Sequence, residues 1–241
     1  MTDPARDVVP AAEPVRLSVR GGGRFPVRRI YCVGRNFADH AKEMGAQAPA
    51  SKAERGTPVF FAKPADALVT GTDVPYPSAT QDLHHEVELV VALGADAPAG
   101  VLAVEDAQAL VFGYSVGLDL TRRDLQAAAK AKGLPWDVAK GFDASAPIGE
   151  LVPAADIGAL APRTLSLEVN GAQRQASTLD ALIWDVPEIL HELSKLYALR
   201  AGDLVFMGTP AGVAALQPGD ACVARLDDVL ELRCHVRAAR A

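Results

Sequence analysis

Cysteine is scarce in this 241-residue chain: Cys32, Cys222 and Cys234 are an odd number, and their spacing fits no metal-ligand motif. A disulfide framework is therefore not expected, and reduced thiols in a cytoplasmic protein are. Long apolar runs are also missing. None approaches the roughly 20 residues of a membrane-spanning helix, and the opening MTDPARDVVPAAEP holds no stretch of the signal-peptide kind. Neither membrane insertion nor export is expected. Basic stripes are lacking too. With 24 Lys and Arg against 30 Asp and Glu, the net charge of −6 argues against a nucleic-acid partner, which requires clustered cations to displace counterions from phosphates. What remains is ordinary globular composition, 49% hydrophobic and 22% charged, with length enough for a real core.

Residues 1–13, rich in Ala, Pro and Asp without periodicity, are expected to form a flexible lead-in that buries little. Short apolar runs at 15–19 and 27–33, separated by three glycines, predict a strand, a turn and a second strand. NFADHAKEMG predicts a short helix closed by Gly45. The small, polar stretch 46–57 predicts a mobile surface loop of the kind that can act as a lid. Strands are expected at 59–62, 68–69 and 86–93, and helices at 104–110 and 121–132 around the apolar run 111–118. Asn170-Gly171 marks a type I′ hairpin within 165–176, because both turn positions tolerate positive φ. A helix is predicted over 186–196, with Pro187 in its first turn. Ala201-Gly202-Asp203 and Pro218-Gly219-Asp220 each read as a turn feeding a strand. No regular alternation of strand and helix supports a doubly wound parallel sheet, so the fold class is α+β, largely β.

The segment LHHEVELVVALG places Glu86 and Glu88 two apart in a strand-like run, hence on one face. Among apolar neighbours two like charges repel, and a hard divalent cation such as Mg²⁺ resolves the conflict. Alone, such a pair also fits a solvated strand face. Asp119 ends the run VFGYSVGLD, where it could point into a cleft or cap the helix that follows. His40 and Glu43 share a face of their helix, either as a carboxylate orienting a basic imidazole or as a surface charge pair. His84, His85, His191 and His235 lack comparable partner spacing and are taken as structural. Arg28, Arg29, Arg35, Arg122, Arg123, Lys130, Lys132 and Lys140 supply local positive charge of the kind an anionic substrate needs, although most helical Lys and Arg are simply solvated. Gly208-Thr209-Pro210 follows a strand but lacks the GxxxxGK[ST] spacing of a phosphate loop.

Taken together and in order, YCVGRNFADHAKEMG, FFAKPADALV, LHHEVELVVALG, GYSVGLDLTRRDLQ, KGLPWDVAKGFDASAPIG and MGTPAGV closely resemble the fumarylacetoacetate hydrolase family, from about residue 26 to the C-terminus. The length and the VRRIYCVGRN opening resemble its acylpyruvate and fumarylpyruvate hydrolase branch most. The resemblance implies a mixed β-roll or distorted barrel, a single catalytic domain over 14–241, and a homodimer. It further implies Mg²⁺ or Mn²⁺, with Ca²⁺ as a substitute, held by Glu86, Glu88 and Asp119. Lys140 is implied beside the metal, Arg123, Gln126 and Thr209 on the substrate, and His40 with Glu43 as a catalytic dyad activating water. The implied reaction is hydrolytic cleavage of a carbon-carbon bond in an acylpyruvate, fumarylpyruvate first, or in another 2-keto acid substrate. Oxaloacetate decarboxylation and isomerase or decarboxylase steps of the same family are the alternatives, and a non-catalytic keto-acid-binding relative is the alternative of another class. Two departures stand out: Phe37 replaces a tyrosine common in that motif, and the 46–57 loop is long.

Overall fold

The computed structural model describes residues 7–43, 45, 49 and 51–238. Of the expected N-terminal lead-in, residues 1–6 lie outside this set, as do 46–48 and 50 of the expected loop. Residues 7–13 are exposed and carry no regular element.

Strands β1 (Arg16–Ser18) and β2 (Arg24–Pro26) form an antiparallel hairpin, its turn made by three glycines of positive φ. The sequence therefore marked the turn correctly but not the partner: the hairpin closes on residues 24–26, and the run predicted at 27–33 becomes β3 (Arg29–Gly34) of another sheet. Helix α1 (Ala38–Glu43) and strand β4 (Val59–Lys63) follow. Three short strands, β5 (Leu68–Val69), β6 (Asp73–Pro75) and β7 (Leu83–His84), lead to the long antiparallel pair β8 (Val87–Leu93) and β9 (Val111–Leu118). The predicted helix over 104–110 is present as a 3₁₀ helix.

Beyond β10 (Thr121–Arg122) come α2 (Arg123–Lys132), stopped by Gly133 in the left-handed region, and α3 (Asp137–Lys140). Strands β11 (Ala146–Pro147) and β12 (Val152–Pro153) and helix α4 (Ala154–Ile157) precede the hairpin of β13 (Thr164–Val169) and β14 (Ala172–Thr178). That hairpin turns at Asn170 and Gly171, with φ of 53° and 76°, as the dipeptide requires. Helix α5 (Val186–Ser194) starts with a capping box: Asp185 accepts from the Glu188 backbone N–H while Glu188 accepts from that of Asp185. Strands β15 (Asp203–Phe206), β16 (Ala221–Leu226) and β17 (Leu230–Arg237) complete the chain.

Two larger sheets carry the fold. One runs β12-β9-β8-β15-β3-β4 and the other β14-β13-β16-β17-β6, each mixing parallel and antiparallel pairs. Among the described residues neither closes into a barrel, and the class is α+β. β8 is buried on both faces, which explains its unbroken apolar run. Its odd-numbered residues, Leu89, Val91 and Leu93, join a core with Leu165 and Leu167 of β13, Leu230 and Leu232 of β17, and Ile189 and Leu193 of α5. Its even-numbered residues, Val90 and Ala92, face a second cluster with Ile30, Phe206 and the β1–β2 hairpin's Leu17 and Phe25. Glu86 and Glu88 extend that even register toward the chain's most polar buried region. Among the described residues no helix is long and apolar enough to cross a membrane.

Phe37 is buried at 2% exposure and belongs to the first core, bridging to Leu182, so a hydroxyl at this position would enter an apolar wall. The stretch 46–57 is not loose at its C-terminal end. Lys52–Glu54 makes one 3₁₀ turn, and Arg55 donates to both carboxylate oxygens of Glu188, at 2.8 and 3.0 Å, and to the Ile183 carbonyl. Its guanidinium also lies 3.9 Å over the Trp184 ring.

Candidate functional site

Antiparallel pairing of β8 with β9 sets Val87 opposite Leu118 and ends with the Asp119 N–H donating to the Glu86 carbonyl at 2.8 Å. Residues just ahead of one strand and just past the other are thus brought side by side. Glu86, Glu88 and Asp119 are all buried, and one carboxylate oxygen from each lies within 4.8 Å of the others. Asp119 does not cap the following helix: the N-cap of α2 is Arg122, without a side-chain bond, so of the two readings of Asp119 the capping one does not hold.

Three cations enclose the cluster. Lys140 donates to Glu86 Oε2 at 2.7 Å and Asp119 Oδ2 at 2.6 Å. Arg123 donates to Glu86 Oε1 and to Gln126 Oε1, both at 2.5 Å. Lys63, fully buried, stands 2.9 Å from Asp119 Oδ1 and donates to the carbonyls of Leu120 and Lys140. Burial alone would raise the Glu86 pKa, but Lys140 and Arg123 outweigh it and hold this carboxyl well below the usual range. Glu88 goes the opposite way. Burial, then repulsion from Asp119 and Glu86, pushes it well above the ordinary value, against one donor, the Gly208 N–H at 2.6 Å. Burial disfavours the Lys140 ammonium, yet Asp119 and Glu86 hold its pKa above normal, so it stays charged.

The donor set fits a hard divalent cation. It is all oxygen, three carboxylates share one small volume, and Asp119 Oδ1 is buried beside Lys63 without accepting a hydrogen bond among the described residues. The nearby Cys32 thiol is pushed well up by burial and by Asp119, so it remains neutral and offers no thiolate.

The same cleft is lined by His40, Arg123, Gln126, Lys140 and Thr209 together with the three carboxylates. His40 is 6% exposed, with Nδ1 3.0 Å from Glu43 Oε2, and its Nε2 has no protein partner among the described residues. Glu43 is in turn fixed, since its Oε1 accepts from the Gly212 N–H at 3.0 Å. Gly212 is irreplaceable there: at φ 98°, a Cβ would sit 2.2 Å from the Arg174 carbonyl oxygen. Gly208 is similarly constrained, its φ of 93° and a Cβ contact of 2.8 Å with Asn36 leaving room for no side chain. The phosphate-loop lookalike thus uses its glycines to aim backbone N–H groups at Glu88 and Glu43.

All nine residues singled out from the sequence line or border this cleft. Of the eight basic residues noted, Arg35, Arg123, Lys130 and Lys140 line it, whereas Arg28 pairs with Asp203 and Arg122 donates to the Val138 carbonyl. Two participants escaped notice. Lys63 lay inside a quoted motif without a role, and Gln175 sat in an unremarkable hairpin strand. Gln175 Nε2 donates to Thr209 Oγ1 and to the Pro210 carbonyl, each at 2.8 Å, while its Oε1 accepts from Val87 N–H and meets His85 Nδ1 at 2.9 Å. Its only signal was a polar residue at the inward register of β14. His84 and His85, taken as structural for want of a partner spacing, find partners through the fold: His84 Nε2 lies 2.9 Å from Asp82 and its Nδ1 accepts from Arg123 Nε at 3.4 Å. Burial lowers the pKa of both rings, which favours the neutral form beside Arg123.

Comparison with known proteins agrees with this geometry. The family model described as fumarylacetoacetate (FAA) hydrolase C-terminal matches residues 29–237. A crystal structure of fumarylpyruvate hydrolase from Pseudomonas aeruginosa, in complex with Mn²⁺ and pyruvate, superposes with a TM-score of 0.89 at 44% identity, covering 97% of this chain and 100% of that one. The oxaloacetate tautomerase YcgM of Escherichia coli is 42% identical over 205 residues, 84% of this chain and 90% of that protein. A fumarylpyruvate hydrolase of Ralstonia sp is 40% identical over 178 residues, 73% of this chain and 91% of the relative. The chain belongs to the fumarylacetoacetate hydrolase family.

Proposed function

We propose that this protein is a divalent-metal-dependent hydrolase that cleaves the carbon-carbon bond of an acylpyruvate, with fumarylpyruvate as the first substrate to consider. The observation that supports it most is the meeting, in one cleft, of three converging carboxylates, a charged lysine between them and a histidine whose partner is anchored to the backbone.

A cation held by Glu86, Glu88 and Asp119, Mg²⁺ or Mn²⁺, would supply Lewis-acid stabilisation of negative charge developing on a keto oxygen. Arg123, with Gln126 on its second nitrogen, and Thr209, held by Gln175, would bind and orient the pyruvyl end. His40 Nε2 would take a proton from water as that water adds to the distal acyl carbonyl, while Glu43 holds Nδ1–H and favours the imidazolium. The bond between that carbonyl carbon and the pyruvyl methylene then breaks. Its electron pair leaves with the pyruvyl fragment, and Lys140 provides electrostatic stabilisation until the methylene carbon is protonated. A homodimer belongs to the same proposal, supported by the apolar groove that Val59, Leu134 and Tyr197 leave along the edge strand β4.

The YcgM relative favours a second reading, keto-enol tautomerisation of oxaloacetate, which requires proton transfer but no attacking water. A chelator-controlled screen of fumarylpyruvate, acetylpyruvate and oxaloacetate separates the two. Hydrolysis yields pyruvate and an acid, whereas tautomerisation changes only the enol absorbance. Under the hydrolase reading His40→Ala loses about 10²- to 10⁴-fold in turnover yet retains metal binding, while Glu86→Ala loses both. Wild-type turnover by His40→Ala would sink the dyad.

A further inference from the structure

We propose that His84 is the positioning residue of Arg123: pinned by Asp82 with its proton on Nε2, it accepts from the guanidinium at Nδ1 and sets the plane in which Arg123 meets a ligand. This deepens the reading of Arg123 as a contact of the pyruvyl end and rests on it.

A guanidinium carries five N–H donors. In Arg123 one on Nη2 goes to Glu86 Oε1, one on Nη1 goes to Gln126 Oε1, and Nε–H goes to His84 Nδ1 at 3.4 Å. The remaining donors, on Nη1 and Nη2, are left for a ligand. The contacts to Glu86 and Gln126 fix only the line that joins the two terminal nitrogens, and a planar group can still turn about that line. The bond from Nε supplies a third point, which settles the plane. The preceding residue lacks such a guide: Arg122 Nε is buried with no partner among the described residues.

His84 can serve in one protonation form, and its two partners select it. Arg123 Nε is a donor, so Nδ1 must accept; the ring proton then sits on Nε2 and is donated to Asp82 Oδ1 at 2.9 Å. The backbone holds both residues in one frame. β7 pairs with β10 so that His84 faces Thr121 and Leu83 faces Arg122, and the Arg123 N–H donates to the Asp82 carbonyl at 2.8 Å. Asp124, next along α2, accepts from the Thr80 hydroxyl at 2.7 Å and from the Gln81 N–H at 3.1 Å. Residues 80–84 thus lace the first turn of α2, whose N-cap Arg122 makes no side-chain bond. Within that lacing the side chain of His84 is the one that reaches the guanidinium among the described residues.

The test uses the whole chain loaded with Mn²⁺, each variant first shown by circular dichroism to be folded. By calorimetry the Kd of pyruvate should rise about five- to tenfold in His84→Leu, the effect of losing one hydrogen bond from a charged donor. It should return close to the wild-type value in His84→Asn, whose Oδ1 takes the place of Nδ1 and accepts the same bond. In an Arg123→Lys background, which has no Nε–H, His84→Leu should change the Kd no further. The same loss in that background, or an unchanged Kd in His84→Leu alone, would overturn the proposal and leave His84 a packing residue. A second measurement needs neither metal nor pyruvate: by ¹⁵N-edited NMR, hydrogen exchange at Arg123 Nε–H should quicken about tenfold in His84→Leu and not in His84→Asn. If wild type binds pyruvate no better than Arg123→Lys does, the reading of Arg123 as a substrate contact fails instead, and the exchange rates still decide whether His84 holds the guanidinium.

Discussion

Lys63 carries more of the site's electrostatics than its sequence neighbourhood suggests. It is the ion-pair partner of Asp119 Oδ1, and it ties β4 to the carbonyls of Leu120 and Lys140. Lys63→Met would leave Asp119 buried beside Glu88 with one cation fewer. Removing one partner of a buried ion pair costs about 3–5 kcal/mol, and that loss should appear in denaturant unfolding of metal-free protein. Added divalent cation should recover part of it, because a bound ion replaces the missing charge. A variant as stable as wild type without metal would show that Lys140 alone balances the cluster. The contrast between Lys63 and Glu86 explains what could be read in advance at this scale. Glu86 with Glu88, and His40 with Glu43, announce themselves because a strand or a helix brings spacings of two or three onto one face. Lys63 and Gln175 reach the site only through pairing between distant segments, 56 residues from Asp119 and 34 from Thr209, and no local spacing encodes that.

Arg55, its Glu188 clamp and Trp184 join the residues before β4 to the first turn of α5, which makes the clamp a property of elements. The Arg55 hydrogen bonds, foremost, hold the Glu188 carboxyl down at about 2, against its ordinary 4.5. A depressed acid stabilises the fold above its unfolded pKa and loses that contribution as pH falls through the folded one. The clamp should therefore act fully above pH 4.5 and fade toward pH 2. Arg55→Ala should cost about 1–3 kcal/mol at neutral pH, from the charged hydrogen bonds and the stacking on Trp184. Its difference from wild type should shrink across that acid window, as urea unfolding at stepped pH would reveal; a constant difference would assign the cost to packing alone. Composition made 46–57 read as loose, and only the tertiary position of Glu188 shows why its last residues are not. Elsewhere the elements were legible where turn chemistry is specific, as at Asn170-Gly171 and at Pro187. They were not where strands are two or three residues long, as in β6 and β7, or where the partner is distant, as for β3, which pairs with β15. β17 alternates buried and exposed residues throughout LELRCHVR, a period-two signal that the reading of the sequence did not use.

At the scale of the whole molecule, the acidic cluster couples ligation to stability. Glu86, Glu88 and Asp119 converge inside a fold whose two sheets and α5 share one core, so a cation bound by all three links β8 to the end of β9. The unfolded chain offers no such arrangement, and binding to the native state alone stabilises it by about 2.7 kcal/mol at a hundredfold excess over Kd. For a chain of this size that corresponds to a rise in Tm of about 5–10 °C when Mg²⁺ or Mn²⁺ replaces chelator. Glu88→Gln separates binding from folding. Burial and its two acidic neighbours already disfavour the Glu88 charge, so the amide should leave the chelated protein at least as stable as wild type. The variant should then lose most of the metal-dependent rise, because a carboxylate ligand is gone. Calorimetric melts of both proteins, with chelator and with each ion, test this directly: an undiminished rise in Glu88→Gln would remove Glu88 from the ligand set, while no rise in wild type would mean that the cluster is balanced by Lys63, Lys140 and Arg123 without a metal.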